Sequence, residues 1–191
     1  MRTLKGTLTE KLLLLSFSGE SQARNRYDFF AEKAGLEGLP LVREIFLETA
    51  HQEQAHARRW FKFLEGDDLE ITGIFPSGAL AGTTANLQLS IATEHLENSR
   101  LYPELMHTAE QEGFSEVARA ARGIISAEEF HEARFRKILS NKNDPSLLAE
   151  RHPGAWRCRN CGCLATGDKA PESCPACAYP QEYFMELDMR L

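Results

Sequence analysis

A mainly α-helical protein is predicted by this sequence, a four-helix bundle with a small cysteine-built metal module at its C-terminal end. Three observations predict it. Glutamates recur within apolar helical stripes at repeating intervals, Glu20 and Glu53 being 33 residues apart and Glu94 and Glu128 34. The connections between the stripes run short, long, short. All five cysteines fall between Cys158 and Cys177, with none in the first 157 residues.

The helices follow in order. Thr7-Leu-Thr-Glu10 matches a capping box, so the first helix starts there and runs to about Lys33, with Gly35 at its stop. Pro40 suits the first turn of a second helix, which runs to about Glu65 before Gly66. The third runs from near Leu80 to just before Gly113, and Pro103 inside it removes a backbone donor and predicts a kink. The fourth continues to about Asn141. Short connections make each pair an antiparallel hairpin. The long link, roughly residues 66–78, reaches at most ~43 Å when extended. A 26-residue helix is ~39 Å long, so the link can cross the whole bundle. The bundle is assigned to residues 1–142, a linker rich in Asn, Asp, Pro and Ser to 143–155, and the module to 156–191.

Residues three apart on a helix share a face. Glu53-x-x-His56, Glu94-x-x-Glu97 and Glu128-x-x-His131 therefore each aim two donors one way, and Glu20 adds a fourth carboxylate position. Helix-borne Glu-x-x-His pairs with lone carboxylates are the ligand pattern of a dimetal site inside a helical bundle. A solvated charged face is the competing reading, and it requires these glutamates to lie on the polar side. They lie instead among Leu13, Phe17, Ala23 and Tyr27, among Phe46, Ala50, Ala57 and Trp60, among Leu87, Ile91 and Leu101, and among Ala121, Ile124, Ile125, Phe135 and Leu139. Five buried carboxylates without partners cost several kcal/mol each. A pair of dications relieves that cost. Oxygen-rich ligation with two imidazoles suits iron or manganese more than zinc.

Seven side chains are thus candidate ligands: Glu20, Glu53, His56, Glu94, Glu97, Glu128 and His131. The symmetric pattern needs six, and Glu97 is the surplus donor, free to exchange at a metal or to hand over a proton. Tyr27 lies two turns from Glu20 and Tyr102 two turns from Glu94. Both are candidates to donate hydrogen bonds to ligand carboxylates, against ordinary core packing. His51, His95, His107 and His152 are expected to lie outside the ligand set.

Cys158-Arg-Asn-Cys161 and Cys174-Pro-Ala-Cys177 are two knuckles, each aiming two thiolates at one point, and together they make a four-cysteine metal site. The spacing suits a structural zinc ribbon and a one-iron redox site alike. A redox dimetal site on the same chain consumes electrons, which favours iron here, with zinc as the alternative. Cys163 belongs to neither knuckle and reads as a small packing residue or an exposed thiol.

Composition narrows the partners. The net charge of −6 lies wholly in the first 150 residues, since residues 151–191 carry five groups of each sign. No basic patch points to nucleic acid. No apolar run approaches the ~20 residues of a membrane span, and Leu12–Leu15 is too short for a secretory signal, so a cytoplasmic location is expected.

The chain resembles the rubrerythrin family over essentially its full length. The resemblance rests on Gly19-Glu-Ser-Gln-Ala-Arg-Asn-Arg-Tyr27, Glu53-x-x-His56, Phe61-Lys-Phe-Leu-Glu-Gly66, Glu94-x-x-Glu97 and Tyr102-Pro103 in the bundle. It continues through Glu128-Glu-Phe-His-Glu132, Trp156-Arg-Cys-Arg-Asn-Cys-Gly162 and Ala170-Pro-Glu-x-Cys-Pro-Ala-Cys177. It implies a ferritin-like di-iron bundle followed by a rubredoxin-like domain, and a peroxidase that reduces hydrogen peroxide to water in oxidative-stress defence. It further implies that Glu20, Glu53, Glu94, Glu97, Glu128 and His131 bind two irons, that His56 replaces Glu97 when the site is reduced, and that Cys158, Cys161, Cys174 and Cys177 hold one iron. A homodimer is implied, with the single iron of one subunit facing the iron pair of the other. An electron donor such as rubredoxin or an NAD(P)H-dependent reductase is also implied. Ferroxidase with iron storage, or oxygen reduction, is the alternative function. Cys163 stands where such modules usually carry an aromatic residue.

Overall fold

The computed structural model describes residues 3–140 and 151–188. Most of the expected linker falls in 141–150 and lies outside the described residues. Arg151–Ala155, also assigned to it, belong to the first strand.

Helix α1 spans Leu8–Leu36 and α2 Pro40–Phe61, packed as a hairpin. Thr7 caps α1 by accepting from the Glu10 amide at 3.1 Å, while the Glu10 carboxylate accepts from the Gly6 amide at 2.8 Å. The expected stop at Gly35 moves to Gly38, whose φ of +72° is the left-handed turn that ends a helix. Helix α2 ends four residues early, in a turn closed by the Phe63 and Leu64 amides. The Glu65 carboxylate is engaged elsewhere, accepting from the Leu4 amide at 3.0 Å. The crossover therefore spans residues 62–82 and is longer than the sequence suggests.

The third helix is interrupted. Helix α3 (Thr83–Leu96) passes into a π-turn at Glu97–Leu101 and resumes as α4 (Tyr102–Gln111). Pro103 cannot donate within the helix, and the Tyr102 amide bonds back five residues to the Glu97 carbonyl. The extra residue shifts the helical register. Leu101, expected on the buried stripe, is 41% exposed, and Tyr102 turns inward in its place. Helix α5 (Ser115–Ser140) packs on α3 and α4.

Beyond it lies a three-stranded antiparallel sheet ordered β2-β1-β3, from β1 (Arg151–Cys158), β2 (Leu164–Thr166) and β3 (Phe184–Asp188). Trp156 pairs with Ala165 and Cys158 with Phe184, which brings the first knuckle to the end of the sheet. The module sits against α5, where a Cβ on Gly123 would lie 2.7 Å from the Ala176 amide nitrogen. Only glycine permits that approach of helix to backbone.

Among the described residues no helix is long and apolar enough to cross a membrane.

Candidate metal centre

All seven bundle candidates converge at mid-bundle, and each is buried: Glu20 from α1, Glu53 and His56 from α2, Glu94 from α3, Glu97 at the π-turn, Glu128 and His131 from α5. Two groups have their ligand atoms mutually within 4.8 Å. One is Glu20, Glu53, His56 and Glu128, and the other is Glu53, Glu94, Glu128 and His131. Glu53 and Glu128 belong to both, which is the arrangement of carboxylates bridging two ions. His56 Nδ1 lies 2.9 Å from Glu128, 3.5 Å from Glu20 and 3.7 Å from Glu53. His131 Nδ1 lies 2.8 Å from Glu128, 3.1 Å from Glu53 and 3.3 Å from Glu94. Glu97 is buried beside this cluster but joins neither group, so the geometry has His56 inward and Glu97 set back.

The donor set suits two dications. Both oxygens of Glu53 and of Glu128, and one each of Glu20 and Glu97, are buried with no polar partner among the described residues other than the two imidazoles. Burial pushes the Glu53 carboxyl well above its ordinary range, and the Glu128, Glu20 and Glu94 charges push it further. Burial also raises Glu97, reinforced by Glu94 and Glu128. Burial opposes ionisation of Glu128, yet His56 and His131 outweigh it and hold that carboxyl low. Without ions, protons must balance these charges; bound dications take over that role.

The outer partners fix the ligands. Both imidazoles turn Nδ1 to the carboxylates and Nε2 outward. His56 Nε2 meets the Cys161 carbonyl at 2.7 Å, and a carbonyl only accepts, so Nε2 carries the proton. His131 Nε2 likewise donates to Gln52 Oε1 at 2.7 Å, and the Gln52 amide nitrogen faces Glu48 at 3.4 Å. Trp60 Nε1 donates to Glu20 at 3.1 Å. The two tyrosines cross the bundle: Tyr27 donates to Glu94, and Tyr102 to Glu20 at 2.5 Å. Each phenol thus serves the glutamate of a packed neighbour and not the one two turns away along its own stretch of helix. Burial pushes both phenols well above their usual range, with Glu94 adding to it at Tyr27 and Glu20 at Tyr102.

His95 and His107 lie on the exterior, facing Glu132 at 3.2 Å and Gln111 at 2.8 Å, and His51 is exposed. The side chain of His152 lies outside the described residues.

The four knuckle cysteines form a second group, with Sγ separations of 3.8 Å for Cys158 to Cys177 and 3.6 Å for Cys161 to Cys174. A tetrahedron of metal–sulfur bonds near 2.3 Å has edges of about 3.8 Å, whereas a disulfide needs about 2 Å. The residues after the second cysteine of each knuckle, Gly162 and Ala178, take φ of +75° and +62° and turn the backbone around the site. Cys163 is fully buried, 3.6 Å from Ser126 Oγ, so it is a packing residue rather than an exposed thiol.

The two centres meet. Besides the His56–Cys161 contact, a Cβ on Gly162 would come within 3.0 Å of Gln52 Oε1 and 3.1 Å of His131 Nε2. Gly162→Ala adds a left-handed backbone strain to that clash. It is expected to push the knuckle off the bundle while leaving both metal contents unchanged, and metal analysis beside the rate of electron exchange between the centres checks this. The resemblance puts this contact between two subunits; in the described chain the module lies against its own bundle.

An ionic bolt, half-buried at Glu48 and buried at its two arginines, holds the same interface. Glu48 of α2 binds Arg134 of α5 and Arg157 of β1, each at 2.5 Å, and both guanidinium groups lie over Phe130, at 5.2 and 5.4 Å. Burial pushes the Glu48 carboxyl up, but the two arginines prevail and hold it down at about 2. A depressed carboxyl contributes stability above its ordinary range, lost as pH falls through the folded value. Glu48→Gln should therefore weaken docking at neutral pH, with wild type losing its advantage as pH falls from 4.5 towards 2. Comparing proteolytic release of the module from the two proteins across that range tests the sign.

Gln52, Glu48, Arg134 and Arg157 carry no sequence signal of these roles, because none sits in a ligand motif. Trp60 was readable as part of the apolar stripe, but its bond to Glu20 was not.

Comparison with known proteins agrees with this architecture. The family model described as Rubrerythrin matches residues 11–139, and that described as Rubrerythrin, rubredoxin-like domain matches 156–185. A rubrerythrin of Nitratidesulfovibrio vulgaris is 49% identical over 96% of both chains. One of Porphyromonas gingivalis is 49% identical over 96% of this chain and 92% of its own. The structure of nigerythrin in its fully reduced, all-ferrous state superposes with a TM-score of 0.69 at 23% identity, over 97% of this chain and 92% of that one, which speaks to the fold. The bundle with its paired carboxylate–histidine groups and the four-cysteine module are those of a rubrerythrin, and this chain belongs to the rubrerythrin family.

Proposed function

We propose that this chain is a cytoplasmic di-iron peroxidase that reduces hydrogen peroxide to two waters, taking two electrons and two protons per turnover, with electrons relayed through the four-cysteine site. The observation that carries this reading is the direct contact of the two centres, His56 Nε2 against the Cys161 carbonyl. A zinc staple would have no reason to touch a ligand of the other centre.

Glu20, Glu53, His56, Glu94, Glu128 and His131 would hold the iron pair, with Glu97 as an exchangeable ligand, and Cys158, Cys161, Cys174 and Cys177 the single iron. The pair, when bound and reduced, would supply Lewis acidity and two electrons to the O–O bond, and an iron held by the four cysteines would supply one-electron redox chemistry. The protein does the rest. Glu97, set back from both ligand groups and with its carboxyl raised above the ordinary range by burial, is the group assigned to donate a proton to the leaving oxygen. Tyr27, Tyr102 and Trp60 hold Glu94 and Glu20 in place as charge changes. Gln52 and the Cys161 carbonyl keep both imidazoles in the tautomer that offers Nδ1. The hydrogen bond from His56 to the Cys161 carbonyl gives a covalent and hydrogen-bonded path between the centres.

We further propose a homodimer, and a small redox protein or NAD(P)H-dependent reductase as donor. The test is metal analysis with ferrous-state spectroscopy of protein from iron-replete cells. Iron at both centres and peroxide-driven reoxidation support the reading; zinc in the cysteine site with unchanged peroxidase turnover refutes the relay.

A further inference from the structure

An apolar cavity of about 340 Å³ opens beside the carboxylate cluster, between α1, α3 and the crossover. Leu12, Leu15, Phe75 and Leu89 wall most of it, and Glu97, Arg26 and Glu104 are its charged lining. The crossover is clamped over it: at Gly73 a Cβ would meet Leu15 and Phe75 at 2.8 Å. Glu97 is 5% exposed and its Oε2 has no hydrogen-bond partner among the described residues. Glu97 thus sets a buried carboxyl where the apolar chamber meets the metal cluster.

The chamber does not match hydrogen peroxide. That molecule is about the size of a water, whose share of liquid volume is ~30 Å³, and it is wholly polar. The cavity is an order of magnitude larger and walled with leucine side chains. A ligand with one peroxidic end and a hydrocarbon body of roughly ten heavy atoms satisfies both features.

We propose that this cavity is a binding site for organic hydroperoxides, and that the protein reduces them as well as hydrogen peroxide. The proposal rests on the peroxidase reading above. The hydrocarbon occupies the leucine-lined chamber, and the –OOH group lies at Glu97 beside the metal cluster. With a reduced metal pair held by the carboxylate cluster to supply two electrons, the O–O bond would break. One proton goes to each oxygen, giving an alcohol and water: ROOH + 2 e⁻ + 2 H⁺ → ROH + H₂O. The alcohol leaves by the chamber.

The probe is 2-phenyl-2-propanol, the alcohol left by cumene hydroperoxide, titrated into the oxidised, iron-loaded protein by equilibrium dialysis. Ala92 lines the chamber and is exposed, so Ala92→Trp fills it from the outside; Leu89→Phe is a second filling variant on the same helix. Wild type is expected to bind one equivalent. The variants should weaken that binding, and lower the ratio of kcat/KM for cumene hydroperoxide over that for hydrogen peroxide, by at least about ten-fold, the scale on which a shaped apolar pocket discriminates. No binding by wild type, or binding indifferent to both variants, overturns the proposal. So does a change of oligomeric mass in the variants without alcohol binding in wild type, which would make this face a contact between copies. Variant-sensitive alcohol binding by a protein that does not reduce hydrogen peroxide would keep the site and sink the peroxidase reading instead.

Discussion

Glu128→Gln is expected to empty the carboxylate cluster of both ions, whereas Glu20→Gln or Glu94→Gln removes or weakens one. Glu128 belongs to both four-residue groups and lies 2.9 Å from His56 Nδ1 and 2.8 Å from His131 Nδ1. It is the carboxyl whose ionised form both histidines favour despite its burial. Neutralising it leaves two imidazoles and three other carboxylates, with Glu53 as the single carboxylate shared by both groups. Peroxide turnover should fall by more than the ~100-fold that loss of an outer hydrogen-bond partner costs a metal site. The four-cysteine centre should keep its metal, since Glu128 does not touch it. Elemental analysis of the three variants checks the order; two ions retained by Glu128→Gln would show that it does not bridge.

Glu97→Ala should separate binding from turnover in the other direction. Glu97 lies outside both ligand groups, so the ion content should stay at wild-type level. Its loss removes the proton donor proposed for the leaving oxygen, a role worth typically ~10²–10⁴-fold. Glu97→Gln keeps the shape and one hydrogen-bond donor but no transferable carboxyl proton, and it should be nearly as slow as Glu97→Ala. Wild-type turnover by either variant, measured by stopped-flow reoxidation of the reduced protein, refutes the assignment.

The reason so much of this site could be read from sequence is that helical periodicity is rigid. Glu53 and His56 share a face whatever surrounds them, and a glutamate in a leucine stripe must find a partner. The cysteine knuckles are equally local. What escaped was set by contacts between segments far apart in the chain. The π-turn at Glu97 rotates Leu101 out and Tyr102 in, and nothing at residue 97 announces it, although Pro103 marks the place. Tyr27 and Tyr102 were legible as carboxylate partners, but not that each serves the helix opposite. Gly38 rather than Gly35 ends the first helix because the chain reverses where φ turns positive, a choice two nearby glycines leave open. The docking of the module through Gly162, Gln52 and the Glu48–Arg134–Arg157 bolt rests on contacts between residues 86 to 110 apart, beyond any local pattern. Cys163, ambiguous in sequence, is settled by burial alone.

The central claim is that the bundle reduces peroxide with electrons delivered through the cysteine site. The measurement that tests it most directly is anaerobic reduction of the iron-loaded protein, then mixing with hydrogen peroxide or with oxygen in a stopped-flow spectrometer. The account predicts rapid reoxidation of both centres by peroxide, with water as product and peroxide much faster than oxygen, and slowing of the cysteine-site phase alone in Gly162→Ala. Slow reoxidation, or a preference for oxygen, would contradict it and turn the reading towards ferroxidase or oxidase chemistry.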